Sequence, residues 1–235
     1  LNWSDFTEPE PAQRGIMQAD LFGAARRLAR LGISPESHVV VVGNGIYGNG
    51  EEGRVAWMLV YMGLSKVQFA SLEALKPRVT NVIDTSSIKA VPMWKPEVRT
   101  SLNVTRDEVI FAINERGVEK PISFKGGPAL VYHIIDVRSE KAYLGKEGVG
   151  SRAHVPNMDA INIPWKEFFD KQMRVKTSMA QRLAQVGLDP ANRVIVIGED
   201  GVSSAAVTLV LRGLGYKNAG NYAGGLLDLM STKVR

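Results

Sequence analysis

The 235-residue sequence contains no cysteine and only three histidines. The missing thiols exclude disulfides, thiolate metal sites and every covalent mechanism based on a cysteine of this chain. With so few nitrogen and sulfur ligands, neither a metal site nor another cofactor is predicted. The sequence also lacks any run near the roughly 18 apolar residues that span a bilayer, so no membrane span is predicted.

The remaining composition is that of an ordinary globular protein, with 45% hydrophobic and 23% charged residues. The formal net charge is +5, and the basic residues are scattered along the chain. Such a field attracts small anions or an acidic partner, and without a binding motif no nucleic-acid binding is predicted. A cysteine-free chain fits an exported protein as well as a cytoplasmic one, so the compartment stays open, with export somewhat favoured.

One supersecondary unit occurs twice, because residues 28–43 align without a gap on residues 183–198. Each copy ends in a buried apolar run, a glycine and a loop that leads into a helix. Two copies predict two similar α/β domains, each a mostly parallel sheet flanked by helices. The expected boundaries are 1–90 for the first domain, 91–103 for a proline-rich linker and 104–235 for the second domain.

The first copy begins part-way through the unit. Leu1–Phe6 resembles Ile161–Phe168, which in the second copy follows a strand and a long loop. The first domain is therefore predicted to be truncated at its N-terminus. A sheet that lacks an internal strand leaves backbone groups unpaired, so we expect a segment N-terminal to Leu1, covalent or cleaved, or a protein partner to complete it.

The strand-to-helix junction of the second copy is the candidate site. Such a junction gathers free backbone N–H groups around one point, where an anion or a nucleophile would lie. The candidate loop consists of Gly198, Glu199, Asp200, Gly201, Val202, Ser203 and Ser204.

Several motifs of the second copy resemble the rhodanese (thiosulfate sulfurtransferase) family in their order along the chain. They are Ile135-Asp136-Val-Arg138-Ser139, Tyr143-Leu-Gly145, Arg152–Trp165, Val194–Gly198, Gly215-Tyr216 and Tyr222–Gly225. The resemblance spans Val104–Arg235 and is weaker over Leu1–Leu75, which implies a tandem rhodanese-like protein. In this family the candidate loop begins with a cysteine, whose persulfide is held by the loop amides at the start of the helix.

Here the resemblance places Gly198 at the cysteine position, followed by the acidic Glu199 and Asp200. It implies a catalytically degenerate homologue, which binds a partner protein or a small sulfur-containing anion. Whether the chain is an enzyme stays open. The alternatives are a sulfane-sulfur transferase whose thiol comes from a missing segment or a partner, a hydrolase using Asp200, Ser203 and His154, and a purely structural subunit.

The supporting residues also allow two interpretations. The loop amides together with Arg152 and the hydroxyls of Ser203 and Ser204 could hold an oxyanion, or the serines could simply cap the helix. Asp136 and Arg138 are expected to form an internal ion pair that holds the following loop, and His154 to be structural.

A glycine pattern in the first copy, Gly43-Asn-Gly45-Ile-Tyr-Gly48, matches the dinucleotide fingerprint G-x-G-x-x-G after a strand. The third glycine of that fingerprint lies inside the helix, whereas Gly48 is followed by Asn49 and Gly50, which are poor helix residues. Nucleotide binding is therefore not predicted.

Overall fold

The structure is a computed structural model and describes residues 1–76, 88–151 and 155–231. The α-helices are α1 (Leu21–Arg30), α2 (Glu51–Tyr61), α3 (Leu72–Leu75), α4 (Arg106–Asn114), α5 (Glu140–Tyr143), α6 (Met179–Gln185), α7 (Val202–Gly213) and α8 (Gly225–Leu229). The strands are β1 (Val39–Gly43), β2 (Val67–Ser71), β3 (Ile122–Ser123), β4 (Ala129–Leu130), β5 (Tyr132–Asp136), β6 (Ile161–Asn162), β7 (Arg193–Ile197) and β8 (Ala219–Asn221). We call the elements up to α3 the first half and those from α4 onward the second half.

The second half contains a four-stranded parallel sheet in the order β6-β5-β7-β8. All five residues of β7 are buried, because its Val and Ile side chains are covered on both faces. Val194 and Val196 belong to one core cluster with Leu183 and Leu211. The opposite face, which includes Ile195, belongs to a second cluster. The end of β7 is thus held firmly, and it leads into the candidate loop.

The first half contains a two-stranded parallel sheet, in which β1 pairs with β2 from Val39↔Val67 to Gly43↔Ser71. Among the described residues β1 has no partner on its other edge, whereas its repeat counterpart β7 is paired on both edges by β5 and β8. Val40 is 51% exposed, while its counterpart Ile195 is 0% exposed. The expectation that a further segment completes this sheet stays a prediction.

The N-terminal ends of helices α2 and α7 pack against each other and join the two halves. Gly50 precedes α2 with φ 90° and Gly201 precedes α7 with φ 77°, a left-handed conformation that favours glycine. A Cβ on Gly53 would lie 2.3 Å from the Cβ of Ala206, so the helices approach as closely as a glycine allows. The loop that precedes α2 and the candidate loop that precedes α7 are therefore neighbours at the interface of the two halves.

The apolar spacing of the sequence predicts helices over Gly15–Leu31 and Lys176–Val186, and both predicted starts are wrong by a few residues. The helix expected from Gly15 begins at Leu21, where Asp20 caps it by accepting the N–H of Gly23 at 2.8 Å. The helix expected from Lys176 begins at Met179. Tertiary contacts decide both starts, because an apolar periodicity continues into the turns that pack beside a helix.

The segment Thr105-Arg-Asp-Glu108 has the sequence pattern of a capping box for α4, and only half of that box is present. Thr105 Oγ1 accepts the N–H of Glu108 at 3.2 Å, as expected. The carboxylate of Glu108 does not reach back, because it accepts Arg193 Nε at 2.7 Å instead. A buried guanidinium needs an opposite charge more than an exposed backbone N–H needs an acceptor, so the ion pair prevails.

None of the helices in residues 1–76, 88–151 and 155–231 has the length and hydropathy to cross a bilayer.

Candidate binding site between the two halves

The loop from β7 to α7 is held by backbone contacts from the end of the chain. The carbonyls of Gly198 and Glu199 accept the N–H groups of Leu226 and Leu227, each at 3.0 Å. A Cβ on Gly201 would lie 1.9 Å from the carbonyl oxygen of Ala223, so only glycine fits there. The predicted strand-to-helix junction is thus present and its backbone is fixed.

Position 198 faces the first turn of α7. Gly198 is buried, and its φ lies outside the left-handed region. A Cβ built on it would lie 3.2 Å from Ser203 Oγ and 3.4 Å from Ser204 Oγ. A side chain at this position would therefore meet two hydroxyl groups at the start of a helix.

The interpretation that the two serines only cap the helix is wrong. The residue that precedes α7 is Gly201, and no side chain caps the helix. Ser203 and Ser204 are the second and third residues of α7, too far into the helix to occupy its N-cap position. Ser204 Oγ is fully buried, and no described residue forms a hydrogen bond with it.

The two acidic loop residues already use hydrogen-bond donors of the protein. Asp200 accepts the N–H of Val202 at 3.2 Å and Arg14 Nη2 at 2.6 Å. Glu199 accepts the N–H of Val149 at 3.0 Å. One of the amides expected to bind an external anion is thus satisfied by a carboxylate of the loop itself.

Asp136 and Arg138 form the predicted internal ion pair. Arg138 Nε lies 3.0 Å from both carboxylate oxygens of Asp136, and Nη2 lies 2.6 Å from Oδ2. Arg138 Nη1 also donates to the carbonyl of Ala142 at 3.0 Å. Both side chains are buried, so the pair positions the loop after β5 and leaves few donors for a ligand.

The remaining predicted site residues, Arg152 and His154, lie outside the described residues. Within the described residues no three His, Asp or Glu side chains come together as a metal-binding group.

A cleft of about 740 Å³ opens beside the loop and is lined by both halves. Its ionisable lining consists of four carboxylates and two guanidiniums, namely Glu51, Glu147, Glu199, Asp200, Arg14 and Arg138. Trp3 and Trp165, which occupy matching positions in the two copies, also line it. Sequence reasoning missed Arg14, Glu51 and Glu147, because they come from other elements than the candidate loop. The only sequence signal for this cleft was the matching position of Trp3 and Trp165 in the two copies.

The corresponding loop of the first half is filled by one of its own side chains. A Cβ on Gly43, the counterpart of Gly198, would lie 2.4 Å from Glu52 Oε2. Glu52 is only 2% exposed. Burial raises the pKa of Glu52, the backbone N–H groups of Glu52 and Gly45 oppose this effect, and the charge of Glu51 adds to it.

Two further residues, Arg54 and Gly48, describe the start of α2. Arg54 is fully buried, and burial lowers its pKa to about 10, an effect that the charge of Asp200 opposes. Helix α2 begins at Glu51, so Gly48 lies outside it, unlike the third glycine of a dinucleotide fingerprint.

Comparison with known proteins agrees with this geometry. Residues 123–231 match the family described as Rhodanese-like domain. This part of the chain is therefore similar to a rhodanese-like domain. The matched part includes the loop at Gly198, and the arrangement of the first half as a second such domain stays a prediction.

The chain is 29% identical over 94 residues to the thiosulfate sulfurtransferase of Azotobacter vinelandii. The aligned part covers 39% of the chain and 34% of the relative, so the match spans about a third of that relative's length.

Two solved structures show the same fold. The 3-mercaptopyruvate sulfotransferase SseA from Escherichia coli has a TM-score of 0.70 at 21% identity, with 96% of this chain and 80% of SseA covered. The Tum1 protein from Saccharomyces cerevisiae has a TM-score of 0.75 at 17% identity, with 100% of this chain and 79% of Tum1 covered. At these identities the likeness concerns the fold alone.

Proposed function

We propose that this chain is a catalytically degenerate rhodanese-like protein, which binds a guest in the cleft between its halves. The observation that supports this proposal is that Gly198 occupies the strand-to-helix junction in a chain that contains no cysteine. Transfer of sulfane sulfur through a covalent intermediate needs a sulfur nucleophile at this point. The loop keeps its backbone frame and lacks the reactive atom.

The hydroxyl groups beside Gly198 do not replace the missing thiol. A serine nucleophile requires a general base within hydrogen-bond reach. Among the described residues no base bonds to Ser203 or Ser204, and Asp200 is engaged by Arg14 and by the N–H of Val202. The base named in the hydrolytic alternative, His154, lies outside the described residues, so that alternative stays a prediction.

The charge of the cleft favours a partner protein or an organic guest over thiosulfate. Among the described residues four carboxylates and two guanidiniums line the cleft, and one guanidinium is bonded to the buried Asp136. A small dianion would meet net repulsion there.

The test is the formation of thiocyanate from thiosulfate and cyanide by the purified chain. We expect no activity above that of a heat-denatured sample, and cyanide-dependent turnover by the unmodified chain would falsify the proposal. The variant Gly198→Cys is the informative partner, because its φ suits any residue and its thiol would face the start of α7.

A second candidate is a sulfurtransferase whose thiol comes from another segment or from a partner. The space beside Gly198, lined by two hydroxyl groups, favours it. Persulfide formed on an added thiol protein, measured by intact mass spectrometry with and without this chain, distinguishes the two functions. Acceleration by the chain supports the second candidate.

A further inference from the structure

We propose that the folded chain deamidates spontaneously at Asn44 and is protected from the same reaction at Asn49. Both residues lie in the glycine-rich loop between β1 and α2, whose glycine pattern did not indicate a nucleotide. The reaction goes beyond the proposed function, because it needs neither the cleft nor a guest.

The loop contains one tripeptide twice, as Gly43-Asn44-Gly45 and Gly48-Asn49-Gly50. No other asparagine of the sequence precedes a glycine. A glycine has no Cβ to shield its backbone nitrogen, so an asparagine before glycine is the residue most prone to deamidation. Because the immediate neighbours of the two asparagines are identical, a difference between their rates must come from the folded structure.

The reaction uses only the asparagine, the backbone of the next residue and water. The backbone nitrogen of the glycine gives its proton to a base and attacks Cγ of the asparagine, which closes a five-membered succinimide ring. The bond between Cγ and Nδ2 breaks, and the amide nitrogen takes up a proton and leaves as ammonia. Water then opens the ring at either carbonyl, which yields aspartate or isoaspartate without any oxidant or reductant.

Asn49 is held by the carboxylate of Glu51. Nδ2 of Asn49 donates to Glu51 Oε1 at 3.0 Å, and the backbone N–H of Asn49 donates to Glu51 Oε2 at 2.8 Å. Such charge-assisted bonds are stronger than bonds between neutral groups. Gly50 is buried, and a Cβ on it would lie 3.3 Å from Ser203 Cα. This peptide group therefore has little room to rotate toward the side chain of Asn49.

The side chain of Asn44 lacks such a restraint. Asn44 is exposed, and its side chain forms no hydrogen bond with any described residue. Its carbonyl oxygen accepts the N–H of Tyr47 at 3.3 Å, which is longer than the usual range for such a bond. Weaker contacts therefore have to break before the nitrogen of Gly45 reaches Cγ of Asn44.

The carboxylates that face the two glycine nitrogens favour the same site. Burial raises the pKa of Glu52, although a hydrogen bond from the N–H of Gly45 opposes this effect. Burial also raises the pKa of Glu51, but hydrogen bonds that include the N–H of Gly50 outweigh burial and lower it. The stronger base therefore lies beside Gly45, whose nitrogen must lose its proton.

The experiment follows both sites by peptide mapping and mass spectrometry while the intact chain is incubated at neutral pH, once native and once unfolded in urea. In the native chain we expect Asn44 to react at least about tenfold faster than Asn49, a factor that one charge-assisted hydrogen bond provides. In urea the two rates should be equal, because the tripeptides are the same. The product at residue 44 should contain isoaspartate as well as aspartate.

A variant tests the restraint on Asn49 directly. Glu51→Ala removes the acceptor of both hydrogen bonds and should raise the rate at Asn49 about tenfold, with a smaller change at Asn44. The matched control is Glu36→Ala, an exposed glutamate before β1, which should change neither rate. Circular dichroism checks that both variants are folded, and the comparison of the native and unfolded unmodified chain needs no variant.

Four results overturn the proposal. They are equal or reversed rates in the native chain, no conversion of Asn44 in the native chain, aspartate without isoaspartate at residue 44, and the same rate ratio in urea as in the native chain. The last result would mean that the fold plays no part. The assay with thiosulfate and cyanide tests the proposed function separately, so neither outcome decides the other.

Discussion

The two strand–loop–helix units of this chain have the same order of elements. They differ in the burial of the strand and in the side chains beside the glycine that follows it. In the second half, β7 is completely buried and position 198 faces two hydroxyl groups. In the first half, β1 alternates between partly buried and exposed residues, and Glu52 fills the space beside Gly43. The two units therefore differ in the groups that face the glycine after the strand, and a repeated fold does not imply a repeated site.

The largest expected difference in the free energy of unfolding is between matching positions of β7 and β1. Ile195→Ala removes a fully buried side chain and should lower the free energy of unfolding by about 2–5 kcal/mol. Val40→Ala at the matching position of β1, where the side chain is half exposed, should cost less than about 1 kcal/mol. Urea unfolding measures both, and equal losses would mean that the exposed face of β1 is covered in solution.

The glycines before α2 and α7 give the next contrast. Gly201→Ala forces a Cβ to within 1.9 Å of a carbonyl oxygen in a left-handed conformation, so a loss of about 3 kcal/mol is expected. Gly50→Ala meets its nearest atom at 3.3 Å and should cost about 1–2 kcal/mol, mostly from the backbone. The unfolding midpoint in urea distinguishes them, and a reversed order would contradict the assigned rigidity of the second loop.

The contributions of the adjacent Glu51 and Glu52 to the free energy of unfolding should change with pH in opposite directions. The pKa of Glu52 is raised by burial, so its charged form destabilises the native state as pH rises above the ordinary glutamate range. Glu52→Gln should therefore stabilise the protein at neutral pH, by about 1 kcal/mol, and have little effect under acid conditions.

Glu51 is the matched control for this substitution. Burial raises the pKa of Glu51, but hydrogen bonds from its own backbone N–H, from the backbone and side chain of Asn49 and from the backbone of Gly50 outweigh burial and lower it. Its contribution to stability is present at neutral pH and lost as pH falls through its native pKa, so Glu51→Gln should destabilise only the neutral protein. Thermal unfolding from pH 3 to pH 7 tests both, and parallel profiles would contradict the burial of Glu52.

The smallest effect is expected at the ion pair that joins the halves. Arg14 and Asp200 are partly exposed, with side-chain exposures of 52% and 18%. A double-mutant cycle with Arg14→Gln and Asp200→Asn should give a coupling of about 0.2–1 kcal/mol that falls with added salt. A salt-independent coupling would show that the pair is closed off from solvent.

How much could be predicted depended on the distance in sequence between the interacting groups. The run 193–197 and the glycine before α7 are local patterns, and the structure confirms the predicted junction. The caps and starts of α1, α4 and α6 were less accurate, because neighbouring elements compete for the same donors and acceptors. Glu108, for example, bonds to Arg193, 85 residues away.

The sequence by itself determined the absence of thiol chemistry, the repeat and the position of Gly198, since composition and local periodicity do not depend on packing. Only the tertiary structure showed that Glu52 fills the first loop and that Ser204 Oγ has no hydrogen-bond partner among the described residues. It also showed that Arg14 bonds to Asp200, which lies 186 positions away in the sequence. The physical reason is that the charge and volume of a cleft are set by side chains from several elements, and a strand-and-helix pattern does not specify which of them meet.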